Sequence, residues 1–179
     1  MSELRTNRIV PRDGLVSGTG IGGGIIQVKS VTKTDAWNMP ANNTSFHTVS
    51  GLSVTITPKF STSKIMVMYD MNWSTSTGHC SCRLMRDSTP IKVGDASGNK
   101  SQVTGQIHYT ASDQYDLENV SGTHMDSPAT TSAVTYSMQV GTPYSASYDC
   151  TVNYHSEDGA DLAWSGRGAS TITVMEISA

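Results

Sequence analysis

Charge is scarce in this 179-residue chain: Asp, Glu, Lys and Arg together make up 15% of it, and the formal net charge is −3. No cluster of Lys and Arg is available to neutralise a phosphate backbone, so the sequence gives no support to nucleic-acid binding. Long apolar runs are missing, and with them any segment able to cross a bilayer as a helix. The opening, Met1 followed by SELRTNRIVPRDG, is polar from its first residue and lacks the hydrophobic segment of a signal peptide. The expectation is therefore synthesis and assembly in a cytoplasm, without membrane insertion. Cysteine is limited to Cys80, Cys82 and Cys150. Three cysteines cannot form a fully paired framework within one chain, and they read as small, half-buried strand residues.

Signatures of catalysis are also lacking. There is no GxSxG elbow, no HExxH and no cysteine pair with zinc spacing. His79-Cys80-Ser81-Cys82 comes nearest to a metal cluster, but one strand cannot surround a tetrahedral ion. Asp95-Ala96-Ser97-Gly98-Asn99 places oxygen ligands at alternate positions, yet its glycine comes too early for an EF-hand and no Glu closes it. Turn chemistry explains those residues. A GxGxxG pattern within residues 18–23 has no strand before it and no βαβ unit around it, so it reads as a hinge and not as a nucleotide cradle. Glu157, Asp158 and Asp161 have the chemistry of a glycosidase acid pair or of cation ligands, and a solvated loop face is the simpler account. No enzyme, cofactor or metal is expected.

What is present is alternation. Apolar residues amount to 36% of the chain, and Ser, Thr, Gly and Asn fill much of the rest. Residues 52–73, LSVTITPKFSTSKIMVMYDMNW, carry two apolar runs about a polar connection containing Pro58, Ser61, Thr62 and Ser63. Leu52, Val54 and Ile56 alternate with Ser53, Thr55 and Thr57, the period of a strand with one wet face. Ile65, Val67, Tyr69, Met71 and Trp73 share one face of the next run, while Met66 and Met68 make its second face apolar at the start. That pattern predicts a central hairpin, with Met66 and Met68 as candidates for a subunit contact.

Further strands are expected at residues 25–33, 45–50, 80–86, 89–93, 103–110, 133–140, 148–154 and 170–178, with hairpins about Asp87-Ser88 and about residues 141–146. Residues 111–132 carry no readable pattern. The fold class that follows is all-β: an antiparallel β-sandwich, jelly-roll-like in its long loops, preceded by an extended N-terminal arm. Residues 1–24 form the arm and glycine hinge, and residues 25–179 the head. Trp37, Trp164, Tyr115 and Tyr144 fall in or beside loops, where aromatic rings stack on sugars while Asp, Asn and Ser accept hydroxyl hydrogen bonds. Trp37, Tyr115, Trp164, Asp158 and Asp161 are the glycan-binding candidates.

The segment SELRTNRIVPRDG resembles the opening of many phage tail-fibre and related virion proteins. IIQVKSVTKTD, GLSVTITPKFSTSKIMV, RLMRDSTPIKVGDASG and the terminal STITVMEIS are similar to the β-sandwich heads of fibre-like structural proteins, particularly those of phages infecting marine bacteria and cyanobacteria. The likeness covers most of the chain through fold-forming motifs. It implies a virion component and a homotrimer, docked on tail, baseplate or capsid proteins through an arm in which Leu4, Arg5, Ile9, Val10 and Pro11 are the attachment candidates. It carries over no catalytic set. A long fibre would have a repetitive shaft, and here only a glycine hinge separates arm from head. The expected role is thus a short tail fibre or fibre-like adhesin for host recognition, with a host surface glycan as its partner, a capsid decoration (cement) protein as the alternative and a polysaccharide depolymerase behind both.

Overall fold

A computed structural model of the chain describes residues 24–76, 78–109, 116–155 and 165–178. The arm candidates Leu4, Arg5, Ile9, Val10 and Pro11, and the loop candidates Tyr115, Asp158, Asp161 and Trp164, lie outside the described residues. Among those described, every regular element is a strand. They are β1 (Ile25–Lys33), β2 (Trp37–Asn38), β3 (Phe46–Ile56), β4 (Lys64–Ser74), β5 (Gly78–Arg86), β6 (Thr89–Ile91), β7 (Gly105–Tyr109), β8 (Glu118–Asp126), β9 (Val134–Gly141), β10 (Thr151–Val152) and β11 (Ser170–Ile177). All pair antiparallel. The first sheet holds β1, β2, β4, β8, β10 and β11, and the second holds β3, β5, β6, β7 and β9. The protein is an all-β sandwich.

β4 is central in the first sheet. β8 pairs with it from Ile65 to Trp73, β11 pairs from Lys64 to Asp70, and β10 takes Trp73 and Ser74. Its alternate residues Ile65, Val67, Tyr69, Met71 and Trp73 are buried, as the period-two pattern requires. They meet Leu52, Val54 and Ile56 of β3, Cys80, Cys82 and Leu84 of β5, and Val134, Tyr136, Met138 and Val140 of β9 in one core. Each fully buried aliphatic side chain of this kind stabilises the fold by about 1.5–3 kcal/mol.

The expected central hairpin does not form. β3 pairs with β9 and β4 with β11 and β8, so residues 57–63 carry the chain from one sheet to the other. The cause lies in the polar connection, whose backbone amides bond outside any hairpin. Lys59 N–H donates to Glu176 Oε1 at 2.7 Å, while Gln27 Nε2 donates to the Thr57 carbonyl at 2.8 Å and to Glu176 Oε2 at 2.6 Å. Glu176 is fully buried and binds the arch to β1 and β11.

Three further expectations are corrected. The short strand at residues 45–50 and the run from Leu52 form one strand, β3, bent at Gly51. Gly51 has φ +81°, and pairing with β9 jumps from Thr48 to Ser53 across it. This bulge buries both Val49 and Leu52, shifting the apolar phase by one residue. The second hairpin also fails: β9 joins the second sheet, whereas the short β10 joins the first. Lastly, the unreadable region contains β8, a nine-residue strand. The hairpin about Asp87-Ser88 is present, pairing Arg86 with Thr89, and Asp87 has the positive φ of 50° that such a turn needs.

Polar groups also join the sheets. Asp126 of β8, nearly buried, accepts from Tyr136 Oη of β9 at 2.6 Å and from Arg86 Nη1 of β5 at 2.8 Å. Burial, then the neighbouring carboxylate, pushes the Tyr136 phenol far above its ordinary value, so it stays a donor.

Candidate functional site

β5 begins with Gly78, His79 and Cys80, and these residues organise one corner of the second sheet. Cys80 points into the core and His79 to the outer face, by the alternation of the strand. β7 runs alongside and places His108 opposite His79 and Gln106 opposite Ser81. The two imidazoles stack with centroids 4.2 Å apart. No hydrogen-bond partner meets the buried Nδ1 of His79 among the described residues, so contacts between rings hold it in place.

The connection after β9 supplies two more rings. Ser145 N–H bonds to the Thr142 carbonyl and Tyr148 N–H to that of Ser145, winding the loop so that Tyr144 and Tyr148 stack at 5.9 Å. Tyr148 rests on Gly78, where a Cβ would lie 2.3 Å from ring carbons. Gly78 also has φ +74°, so both the turn and the close approach require glycine. Tyr144 meets His79 edge-on at 5.8 Å yet remains 75% exposed. A disulfide between Cys80 and Cys150, with Cα atoms 5.6 Å apart, ties the far end of this loop to β5. The reading of all three cysteines as plain strand residues is therefore corrected for two of them. Cys82 is the free thiol, and burial pushes its pKa up to about 12, which keeps it protonated and inert.

The loop from β6 to β7 completes the corner. Its base is closed by Gln102 Nε2 donating to the Gly94 carbonyl and by Arg83 Nε donating to the Gln102 carbonyl, both near 2.8 Å. The Arg83 guanidinium also stacks 3.7 Å from the Phe46 ring centroid. At the tip, Lys100 N–H bonds back to the Ser97 carbonyl in a turn. Asn99, Lys100 and Ser101 then face His79, Gln106 and Tyr144 across a cavity of about 380 Å³. That size lies within the range of small-ligand sites, and the combination of exposed rings with amide, hydroxyl and ammonium groups suits a sugar.

Of the residues singled out from sequence, Tyr144 belongs to this groove. Trp37 sits in β2, half-buried and packed on the core. Asn99 lies in the stretch read as a turn, and it is a turn. His79, His108, Gln106 and Lys100 were not indicated as a group, because they come together only through the pairing of β5 with β7 and the closure of an intervening loop. Met66 and Met68 lie on the outer face of the first sheet. Val28, Met175, Met66 and Met125 form one row across β1, β11, β4 and β8, with Met68 beside it. Val28, Met68 and Met125 are exposed there, while beyond them hydroxyl pairs Ser30–Thr173 and Thr32–Thr171 make the face polar.

Fold and corner together define an antiparallel β-sandwich with an aromatic surface groove. No family model and no curated protein matches the chain. Among solved structures it is similar to one described as the structure of infectious bursal disease virus Gx strain, at 11% identity and a TM-score of 0.40, over 97% of this chain and 46% of that one. The chain thus spans less than half the length of that neighbour.

Proposed function

We propose that the chain is a non-enzymatic structural protein of a phage virion, a short-fibre-like head that binds a host surface glycan. Residues 1–24 attach it to tail, baseplate or capsid proteins, and the sandwich displays the groove. The observation that carries this reading is the groove itself, in which the exposed Tyr144, stacked on Tyr148 and edge-on to His79, faces Asn99, Lys100 and Gln106. Sugars bind weakly to one such site, and a homotrimer packed through Met66 and Met68, repeated around a particle, adds weak sites into firm adhesion. The test is adhesion of the purified full chain to host cells, with competition against phage adsorption. Wild-type protein blocks adsorption and Tyr144→Ala does not. Equal blocking by the two rejects the groove as the adhesive site.

A capsid decoration protein is the second reading, favoured by the apolar row on the first sheet, since a flat apolar face suits a capsomer surface. A cryo-EM map of the virion separates the two by position.

A further inference from the structure

We infer that the groove selects acidic sugars, reading a carboxylate with Lys100 while Tyr144 takes the face of the ring. This rests on the glycan-binding reading above and narrows it to a ligand class. The described residues lining the cavity include no Asp or Glu. A site for neutral sugars commonly offers a carboxylate to accept from paired hydroxyls. This one instead presents donors: the Asn99 amide, the Ser101 hydroxyl, the Gln106 amide and the Lys100 ammonium. Gln106 Nε2 is partly spent on Ser81 Oγ at 3.1 Å, which leaves its carbonyl as an acceptor for a sugar hydroxyl. Among the described residues Lys100 makes no ion pair. Lys100 is the one Lys, Arg, Asp or Glu among the described residues that line the cavity, so the fixed charge presented there is positive.

The geometry around Lys100 makes the ammonium available. Its backbone is fixed by the turn to Ser97, and the loop is closed at Gln102 and Gly94, so the side chain projects from an anchored base. A carboxylate accepting from Lys100 and from Asn99 or Ser101 gains charge-assisted hydrogen bonds. The Tyr144 ring, held edge-on to His79, gives the C–H face of the same sugar an apolar platform. A sulfate or phosphate on a sugar shares the anionic chemistry but is tetrahedral, and the experiment distinguishes it.

The test is calorimetric titration of the full chain with three probes. They are an oligosaccharide containing glucuronate, the same oligosaccharide with its carboxylates reduced to alcohols, and a sulfated neutral oligosaccharide of equal length. The glucuronate probe binds at least roughly ten-fold more tightly than its reduced form, the worth of one charge-assisted contact. Lys100→Gln removes that preference and keeps the residual affinity for the reduced probe, whereas Tyr144→Ala weakens both. Equal binding of acidic and reduced probes overturns the selectivity and leaves the adhesion reading standing. Tighter binding of the sulfated probe overturns the carboxylate assignment. Glucuronate binding that neither variant alters overturns the site. If no probe binds while adhesion to host cells still depends on Tyr144, this inference alone falls; if adhesion is also indifferent to Tyr144, the glycan reading falls with it.

Discussion

Asn153 sits at φ +67°, a left-handed conformation that Asn tolerates better than most residues, and it is completely buried. Its Nδ2 donates to the carbonyls of Lys33 and Asp35, its Oδ1 accepts from Ser170 Oγ at 2.6 Å, and its backbone bonds to Asn72 and Gly168. One side chain therefore joins the ends of β1 and β11 beside β4. Asn153→Ala leaves two carbonyls and a hydroxyl without this partner and forces alanine into a left-handed backbone, so a loss of about 2–4 kcal/mol in urea denaturation is expected. Asn153→Gly relieves the backbone and isolates the side-chain share; a wild-type midpoint for the alanine variant would refute the account. Glu176 gives a pH signature. Burial raises its pKa, but hydrogen bonds from Gln27 and from the Lys59 and Phe60 amides outweigh that and hold it below its ordinary value of 4.5. A carboxyl depressed on folding contributes stability that is fully present above its unfolded pKa and is lost as pH falls through its folded one. Stability should hold near neutrality and decline below about pH 4.5, near the unfolded carboxyl value. In Glu176→Gln the neutral-pH stability drops and the acid limb flattens, as thermal melts across pH will record. An acid limb of unchanged steepness in the variant assigns the acid sensitivity to other carboxylates.

Two of the elements that form the groove, β5 and the loop after β9, are joined by the Cys80–Cys150 disulfide. The bridge spans 70 residues in sequence and also links a strand of the second sheet to the residue before β10 of the first. Replacing both cysteines by alanine is expected to cost about 2–4 kcal/mol, the usual range for a native bridge. Sugar affinity should fall further than in a variant equally destabilised at a distant core position, because Tyr148 and Tyr144 lose their tether to Gly78 and His79. Titration of both variants measures the difference, and equal losses would reduce the bridge to a stability device. The strands that frame this corner were legible in part. β4, β9 and, through Ile172 and Val174, β11 announce themselves because their buried positions are apolar at period two, whereas in β1 Val28 is exposed and Lys33 is the one buried residue. β8 does not announce itself, since among its partly or fully buried residues Val120, Gly122, His124 and Asp126 only Val120 is an aliphatic side chain of any size; it is a strand because β4 offers it a full edge. The change of phase at Gly51 hides the unity of β3 for the same kind of reason. Tyr144 could be found as a loop aromatic, but His79 and His108 lie far apart in sequence and meet only through strand register.

At the scale of the whole molecule the two outer faces differ. The second sheet carries the groove at one corner, while the first presents Val28, Met175, Met66 and Met125 in a row with Met68 beside it. Such a band exposes apolar area that a partner would remove from water. Methionine is unbranched and adaptable, so the band can pack against an identical copy without strict complementarity. If three heads meet through it, their grooves all face outward, which is the geometry that multivalent adhesion requires. The full chain should then sediment as a multiple of its 19.1 kDa mass. Met68 is already 39% exposed in the isolated chain, so Met68→Glu leaves the sandwich nearly as stable. In an assembled interface the same glutamate would be buried without a partner, a far larger penalty. Sedimentation velocity should therefore show the variant as a monomer with a melting temperature close to that of wild type, and its adhesion to host cells should drop although its groove is untouched. A wild-type chain that stays monomeric throughout the micromolar range would remove the trimer, and adhesion would then have to gain its strength from the spacing of single heads on the particle.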